Sequence, residues 1–240
     1  MEVFARRLPR LRRDISVALR AGDKPSKERV AAGAVRLLDI GLFRVGGEES
    51  ADEFGHYGLA TLMTTHLEFR GGQAIFDYPA KSGVRRMLAV SDPESVALLR
   101  RLRARRSGPE ELLAFRRAGH WHRLGSDGVN EYIKAHTGDE FSAKDFRTWN
   151  ATVLAAVLLA GIPRERPNRR RAIRKVVGEV ADHLGNTSAV AQSSYIDPRV
   201  FDRYLGGTTV DPRFARDDSL PELSDRHRRR LELAVLDLIN

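Results

Sequence analysis

Five polar side chains stand in distinctive local sequence contexts. They are Arg44 in "FRVGGEE", Lys81 in "PAKSG", Arg147 in "AKDFRTWNAT", and both Asn186 and Tyr195 in "LGNTSAVAQSSYIDP". Arginine binds phosphate through two parallel hydrogen bonds, and lysine and asparagine are further donors. These residue types can therefore bind an anion, and the question is what the tyrosine adds to them.

Four of these residues also have an ordinary structural explanation. Arg44 suits a helix C-terminus before a glycine pair, where a cation is favourable. Lys81 fits a solvated turn, and Arg147 fits a helix on which it pairs with a carboxylate. A tyrosine usually packs its ring in a core and satisfies its hydroxyl at the edge, which would account for Tyr195. Taken one at a time, the residues leave both explanations open.

Several other site chemistries lack support in the sequence. There is no glycine-rich phosphate loop or dinucleotide fingerprint, so we do not expect an activity driven by a bound nucleotide. The chain has no cysteine, which excludes disulfides and thiolate metal sites. Its seven histidines include one close pair, "HWH", without a third ligand at a recognisable spacing. We expect no metal and no cofactor.

Composition indicates a globular, intracellular protein with a polyanionic partner. The 240 residues are 42% hydrophobic and 30% charged, and no apolar run approaches the ~18 residues of a membrane span. No secretory signal is visible, which favours a cytoplasmic location. Lysine and arginine number 41 against 32 acidic residues, a net charge of +9 that favours nucleic acid. A well-solvated, arginine-rich surface is the alternative.

Hydrophobic periodicity predicts a mainly α fold with one small sheet. Apolar residues at helical spacing predict helices over Pro25 to Leu42, after Asp92-Pro93, around Phe146 to Leu158 and around Ile173 to Leu184. Short β-rich segments separated by "RGG" and "PAKSG" turns predict a three-stranded antiparallel meander over 64–90. A loop over 206–223 and a last helix over 224–240, capped by Ser224, complete the prediction.

The order of these segments resembles the type IB DNA topoisomerases of the small bacterial and poxvirus kind. The resemblance rests on "LFRVG", "YGLATL", a lysine in a hairpin turn 37 residues after the arginine, "VNEYIKAHTGDEFSAKDFRTWNAT" and "LGNTSAVAQSSYIDP". It extends from about Leu8 to Pro198. It implies a catalytic domain over 1–240, with residues 1–24 as a basic linker and first helix, and double-stranded DNA as the partner of a monomeric enzyme.

The family resemblance also implies roles for the five residues. Two arginines, a lysine and a histidine or asparagine surround the scissile phosphate in that family, and a tyrosine attacks it. These roles fall on Arg44, Arg147, Lys81, Asn186 and Tyr195. Cationic neighbours favour the tyrosine phenolate, and bound donors stabilise the charge of phosphoryl transfer. A 3′-phosphotyrosyl bond would conserve the energy for religation, so neither ATP nor a metal is expected.

The sequence departs from the family in two respects. Many relatives have histidine where this chain has Asn186, which retains a donor but cannot become charged. Relatives also have a small N-terminal β-rich clamp domain, for which this sequence shows no counterpart. We therefore expect a catalytic domain, either as a fragment or as a natural short form.

Two further residues are expected to contact DNA. Lys144 lies one helical turn before Arg147, and Arg85 lies just after the Lys81 turn. Basic runs at 100–106, 166–175 and 227–230 are additional candidates.

A tyrosine recombinase shares this fold and chemistry, but it typically has His-x-x-Arg where this chain reads Lys144-Asp-Phe-Arg147. A non-catalytic DNA-binding module is the third possibility.

Overall fold

The chain folds into two compact units. A computed structural model describes residues 1–41, 43–47, 51, 53–162, 168–216 and 225–240. We call Arg7–Lys144 the meander unit, and Met1–Arg6 together with Asp145–Asn240 the tyrosine unit. In the described part of the chain, no helix is long and apolar enough to cross a bilayer.

Helices supply most of the described structure. In chain order they are α1 (Glu2–Arg20), α2 (Lys27–Gly41), α3 (Pro93–Arg103), α4 (Ser126–Thr137), α5 (Ala143–Ala160), α6 (Arg169–Leu184), α7 (Ser188–Ser194), α8 (Arg199–Leu205) and α9 (Asp225–Ile239). Each long helix turns an apolar stripe inward, as its periodicity predicts. The mainly α fold with a small sheet is therefore confirmed.

The predicted meander forms the sheet of the meander unit. Its strands are β1 (Leu67–Arg70), β2 (Gln73–Pro79) and β3 (Arg85–Val90), paired antiparallel in that order. Phe76 on the central strand lies opposite Leu67 on one side and Leu88 on the other. The first strand starts later than the sequence suggests, because Thr64–His66 forms a 3-10 turn in which the His66 Nδ1 accepts the Met63 N–H at 3.1 Å.

A second, two-stranded hairpin in the meander unit was not predicted. Strands β4 (Ala114–Arg117) and β5 (His120–Arg123) are joined by Ala118 and Gly119, with φ of 48° and 83°. Two positive φ values match the tight turn that follows the twist of a hairpin. Sequence reasoning missed it because alanine is an unusual residue at such a position, where asparagine or aspartate is the usual signal.

Buried ion pairs and a helix cap fix the helices of the meander unit. Helix α2 packs against α3, α4, β3 and β4. Arg12 on α1 donates to both carboxylate oxygens of Asp39 on α2 at 2.9 Å, and both side chains are buried. Asp92 caps α3 by accepting the Ser95 N–H at 2.9 Å and also binds Arg36. These contacts hold the helices that support the sheet.

The tyrosine unit is built from helices. Helix α6 packs against α7 and α8, and α9 packs against α8. On α5, Trp149 is fully buried and its indole N–H donates to Glu232 of α9 at 3.3 Å. In the predicted 206–223 loop, a 3-10 helix spans Pro212–Arg216. Residues 217–224, including the predicted cap Ser224, lie outside the described residues.

Candidate active site

Arg147 is a buried residue of the tyrosine unit. It lies on the first turns of α5 and is 3% exposed. Its Nη2 donates to the carbonyl of Leu184 at 2.9 Å, and its guanidinium carbon lies 5.1 Å from the centroid of the Tyr195 ring. A guanidinium within about 6 Å of a ring centroid is attracted to the ring face. One arginine therefore contacts both the end of α6 and the predicted nucleophile.

Asn186 is positioned by the C-terminal turn of α6. Gly185 adopts a left-handed conformation with φ of 62°, which glycine accepts without a Cβ clash. The Asn186 N–H then donates to the Ala181 carbonyl at 2.9 Å, the bond that defines a Schellman motif. Asn186 thus lies two residues after Leu184, whose carbonyl accepts the hydrogen bond from Arg147. The structure brings Arg147, Asn186 and Tyr195 into one region of the tyrosine unit.

Tyr195 stands at the C-terminal end of the short helix α7. Thr187 caps the start of this helix by accepting the Val190 N–H at 3.3 Å, and the Tyr195 N–H closes it on the Ala191 carbonyl at 3.1 Å. The tyrosine is partly exposed, whereas the next residue, Ile196, is 4% exposed. Tyr195 thus lies at the edge of the buried part of this unit, where part of the residue is accessible to solvent.

Arg44 lies in the meander unit on a segment held by backbone hydrogen bonds. The Arg44 carbonyl accepts the Leu59 N–H at 2.8 Å. A Cβ on Gly58 would lie 2.4 Å from the Cα of Gly46, a distance that no real side chain tolerates. Phe43 is buried and packs edge-on against Phe76 of β2, with the ring centroids 5.0 Å apart. The two glycines are thus explained by a close backbone crossing that supports Arg44.

Lys81 occupies the turn between β2 and β3. It begins a 3-10 turn, Lys81–Gly83, which the Gly83 N–H closes by donating to the Ala80 carbonyl at 3.0 Å. The Ala80 N–H donates to the Val84 carbonyl at 2.8 Å across the base of this turn. The side chain is exposed, and no described residue forms an ion pair with it. The Tyr57 N–H donates to the Pro79 carbonyl at 2.9 Å. This bond connects the start of the lysine turn to the chain that follows Arg44.

Arg86 is a candidate anion-binding residue that sequence reasoning missed. It lies opposite Tyr78 in the sheet and is partly buried. Burial lowers the pKa of the Arg86 guanidinium, and the nearby charge of Arg44 acts in the same direction. Two neighbouring guanidinium groups favour an anion between or beside them. The strand register pairs this residue with Tyr78, and the sequence alone does not fix that register.

The predicted DNA contacts have different environments. Lys144 is exposed near the start of α5. Arg85 is exposed but donates to both oxygens of Asp77, at 2.6 and 2.5 Å, and thereby lowers the pKa of that carboxyl. In the run over 100–106, Arg105 turns inward and donates to the carbonyls of Leu102 and Leu112 at 2.7 and 3.0 Å. Arg105 is therefore occupied by hydrogen bonds within the fold. The DNA contacts expected of the other residues stay predictions.

Among the described residues, no three histidine, aspartate or glutamate side chains are grouped so that they could hold a metal ion. His66 accepts a backbone N–H and packs edge-on against Tyr57, with centroids 4.5 Å apart. Burial lowers the pKa of His66, although Asp77 opposes this. The described contacts of His66 are therefore packing and hydrogen-bonding contacts within the fold.

The fold and these side chains define a mainly helical protein with a lysine-bearing meander and an arginine packed on a partly exposed tyrosine. The family described as "Eukaryotic DNA topoisomerase I, catalytic core" matches residues 1–204. The chain belongs to this family, which confirms the resemblance to type IB DNA topoisomerases.

Three relatives carry topoisomerase names. DNA topoisomerase 1B of Acanthamoeba polyphaga mimivirus is 26% identical over 188 residues, covering 71% of this chain and 53% of the viral protein. DNA topoisomerase 1 of Schizosaccharomyces pombe is 27% identical over 139 residues, or 57% of this chain and 16% of the yeast protein. DNA topoisomerase 1 of Daucus carota is 27% identical over 132 residues, again 16% of that protein. The chain thus spans about half the length of the viral relative and less of the others.

Proposed function

We propose that this protein relaxes supercoiled double-stranded DNA by transient cleavage of one strand, with Tyr195 as the nucleophile. The observation that carries the proposal is the position of the Arg147 guanidinium, 5.1 Å from the ring of a partly exposed tyrosine. An arginine is a phosphate ligand, so Arg147 can hold the anionic group that the neighbouring tyrosine oxygen would attack. Membership of the topoisomerase I catalytic-core family supports the same assignment.

The proposed reaction is a transesterification. The Tyr195 phenolate attacks the phosphorus, a bond forms between them, and the bond from phosphorus to the 5′ oxygen breaks. Arg147 and Arg44 bind the non-bridging oxygens as fixed cations, and Asn186 donates a neutral hydrogen bond to one of them. Donors that are already in place stabilise the developing charge without reorganisation. The product is a DNA 3′-phosphotyrosine.

Lys81 is the proposed general acid. The 5′ oxygen needs a proton as it leaves, and an exposed lysine on a tight turn can extend into a groove of the duplex. Religation reverses the step: the 5′ hydroxyl attacks the phosphotyrosine, its proton returns to Lys81, and Tyr195 leaves. Because the phosphodiester energy is retained in the covalent bond, the cycle requires neither ATP nor an obligatory metal.

We further propose that residues 1–240 act as one catalytic domain, as a monomer, on cellular DNA. Lys144 and Arg85 are proposed contacts to the duplex backbone. The charge of +9 favours such a partner, since phosphate binding releases condensed counterions.

The decisive experiment uses a nicked suicide duplex whose cleaved end dissociates, so that a covalent adduct accumulates. We expect a denaturing gel to show the wild-type chain linked to the 3′ end of the cut strand. Tyr195→Phe should bind the duplex equally well and form no adduct, because only the attacking oxygen is removed. An adduct with Tyr195→Phe would refute the assignment. Binding without any wild-type adduct would favour a DNA-binding module, and exchange at one defined sequence would favour a recombinase.

A further inference from the structure

Thr152 connects α5 to the backbone around Tyr195. Its side chain is fully buried, at 0% exposure. Its hydroxyl oxygen accepts the Asp197 N–H at 3.1 Å and lies 2.8 Å from the Thr148 carbonyl and 3.4 Å from the Tyr195 carbonyl. The single hydroxyl proton favours the closer Thr148 carbonyl, while the bond from Asp197 uses the oxygen lone pair. The Asp197 bond therefore stands whichever carbonyl receives the proton.

The same helix also contacts the tyrosine ring. Arg147, whose guanidinium lies over the ring, precedes Thr152 by five residues on α5. Five residues correspond to about 7.5 Å along a helix axis. Helix α5 thus holds Tyr195 at two points, by a cation on the ring and by a hydroxyl on the backbone that follows it.

A second anchor acts on the other side of the same backbone segment. The Asp197 carboxylate accepts hydrogen bonds from Arg199, at 3.0 Å from Nε and 2.7 Å from Nη2. Arg199 in turn donates to Glu2 at 2.6 Å and to the Ile239 carbonyl at 3.0 Å. Asp197 is therefore fixed through its side chain by Arg199 and through its N–H by Thr152. Removing the Thr152 hydroxyl would remove only the hydrogen bond between α5 and the Asp197 N–H, and the contacts from Arg199 would stay.

We infer that Thr152 is a positioning residue, which holds Tyr195 in register with Arg147 through the backbone of Asp197. The inference rests on the function proposed above. Thr152 donates nothing to DNA, since its side chain is buried against protein. Its removal should therefore lower the rate of the chemical step and leave DNA affinity unchanged, because a shift of about 1 Å in a reacting group can cost 10²-fold in rate.

The test compares Thr152→Val with Thr152→Ser. Valine keeps the shape and removes the hydroxyl, whereas serine keeps the hydroxyl and removes a methyl group. Adduct formation on the suicide duplex is followed in a single turnover at saturating DNA. We expect Thr152→Val to have a rate constant about tenfold to 10²-fold below wild type, and Thr152→Ser to stay close to wild type. Affinity for the duplex should be the same for all three proteins.

The design separates positioning from general instability. A variant that is partly unfolded forms less adduct, which lowers the amplitude of the reaction but not its rate constant. If Thr152→Val does not fold, Thr152→Cys takes its place, since a thiol is a poor hydrogen-bonding group of similar volume and the chain has no other cysteine. A rate constant for Thr152→Val, or for Thr152→Cys in its place, equal to that of Thr152→Ser would overturn the inference alone. Failure of the wild-type chain to form an adduct would overturn the proposed function and this inference with it.

Discussion

The guanidinium carbon of Arg147 lies 5.1 Å from the ring centroid of Tyr195, while its Nη2 donates to the carbonyl of Leu184 at 2.9 Å. One planar guanidinium group makes both contacts. A rigid fork with five N–H donors can contact a ring and several acceptors at once. This geometry explains why an arginine, rather than a lysine, occupies the position.

Arg147→Lys should therefore lose activity although the charge is kept. A single ammonium cannot contact the ring, the Leu184 carbonyl and a phosphate oxygen together. We expect single-turnover cleavage of the suicide duplex to fall by roughly 10²–10³-fold, the cost of losing one oxyanion donor. Arg203→Lys, at an exposed position on α8, is the matched control and should cleave like wild type. Equal activity of Arg147→Lys and the control would contradict the role given to the planar fork.

Asn186 offers a test based on pH. If it donates a neutral hydrogen bond to the phosphate, Asn186→Ala should slow cleavage and religation together by roughly 10²–10³-fold. Asn186→His should regain much of the rate, because an imidazole N–H is also a donor. Only this variant should add a titration near the ordinary histidine pKa of about 6.5.

Single-turnover cleavage by the three proteins across about pH 5 to 9 measures the effect of Asn186, a range that brackets the histidine titration. DNA binding should hardly change in either variant. An alanine variant that matches wild type at every pH would show that Asn186 only forms the Schellman turn before α7.

Relaxation should persist in excess chelator and without nucleotide. The proposed phosphate ligands are arginine and asparagine side chains, which carry their charge or donors without a bound ion. Supercoil relaxation assayed with chelator, with magnesium and with both tests this expectation. Modest stimulation by magnesium is compatible with it. Activity that vanishes on chelation and returns only with the cation would require a direct metal mechanism.

Asp197 should make stability depend on pH in the acid range. Hydrogen bonds from Arg199 hold the pKa of the Asp197 carboxyl below its usual value. A group whose folded-state pKa is depressed stabilises the fold above its unfolded pKa, and that contribution is lost as the pH falls through the folded pKa. Asp197→Asn should cost about 1–2 kcal/mol at neutral pH, a modest value because Arg199 is partly exposed.

Urea unfolding of wild type and Asp197→Asn between about pH 7 and pH 3, a range that reaches the aspartate titration, measures this contribution. The difference between the two proteins should shrink as the pH is lowered. Asp211→Asn, which removes a more exposed partner of Arg213, is the control and should have little effect. A difference that stays constant down to the lowest pH would show that the carboxylate charge is not the stabilising feature.

Local patterns were sufficient to predict much of this fold. The long helices and the meander follow from periodicity and turn residues, and Lys81 was placed correctly in the turn between two strands. The β4 and β5 hairpin was missed because Ala118 takes a positive φ that alanine seldom adopts. Arg86 was missed because its position opposite Tyr78 depends on strand register.

The support behind the tyrosine could not be predicted at all. Thr152 and Asp197 are 45 residues apart, and nothing in their flanking sequence announces the hydrogen bond between them. The same holds for Arg199 and Glu2, which are 197 positions apart. Local sequence motifs indicate which residues could do chemistry, whereas only the three-dimensional packing reveals what holds them.

The close crossing of Gly46 and Gly58 makes the backbone around Arg44 sensitive to a single methyl group. A Cβ at Gly46 would lie 2.7 Å from the Cα of Gly58, and a Cβ at Gly58 would lie 2.4 Å from the Cα of Gly46. Either alanine substitution would therefore force the two backbone strands apart, and Gly46 would also have to leave its φ of 83° or bear the strain of it. The spacing between two glycines thus sets where the backbone that carries Arg44 runs, although neither glycine has a side chain to contact it.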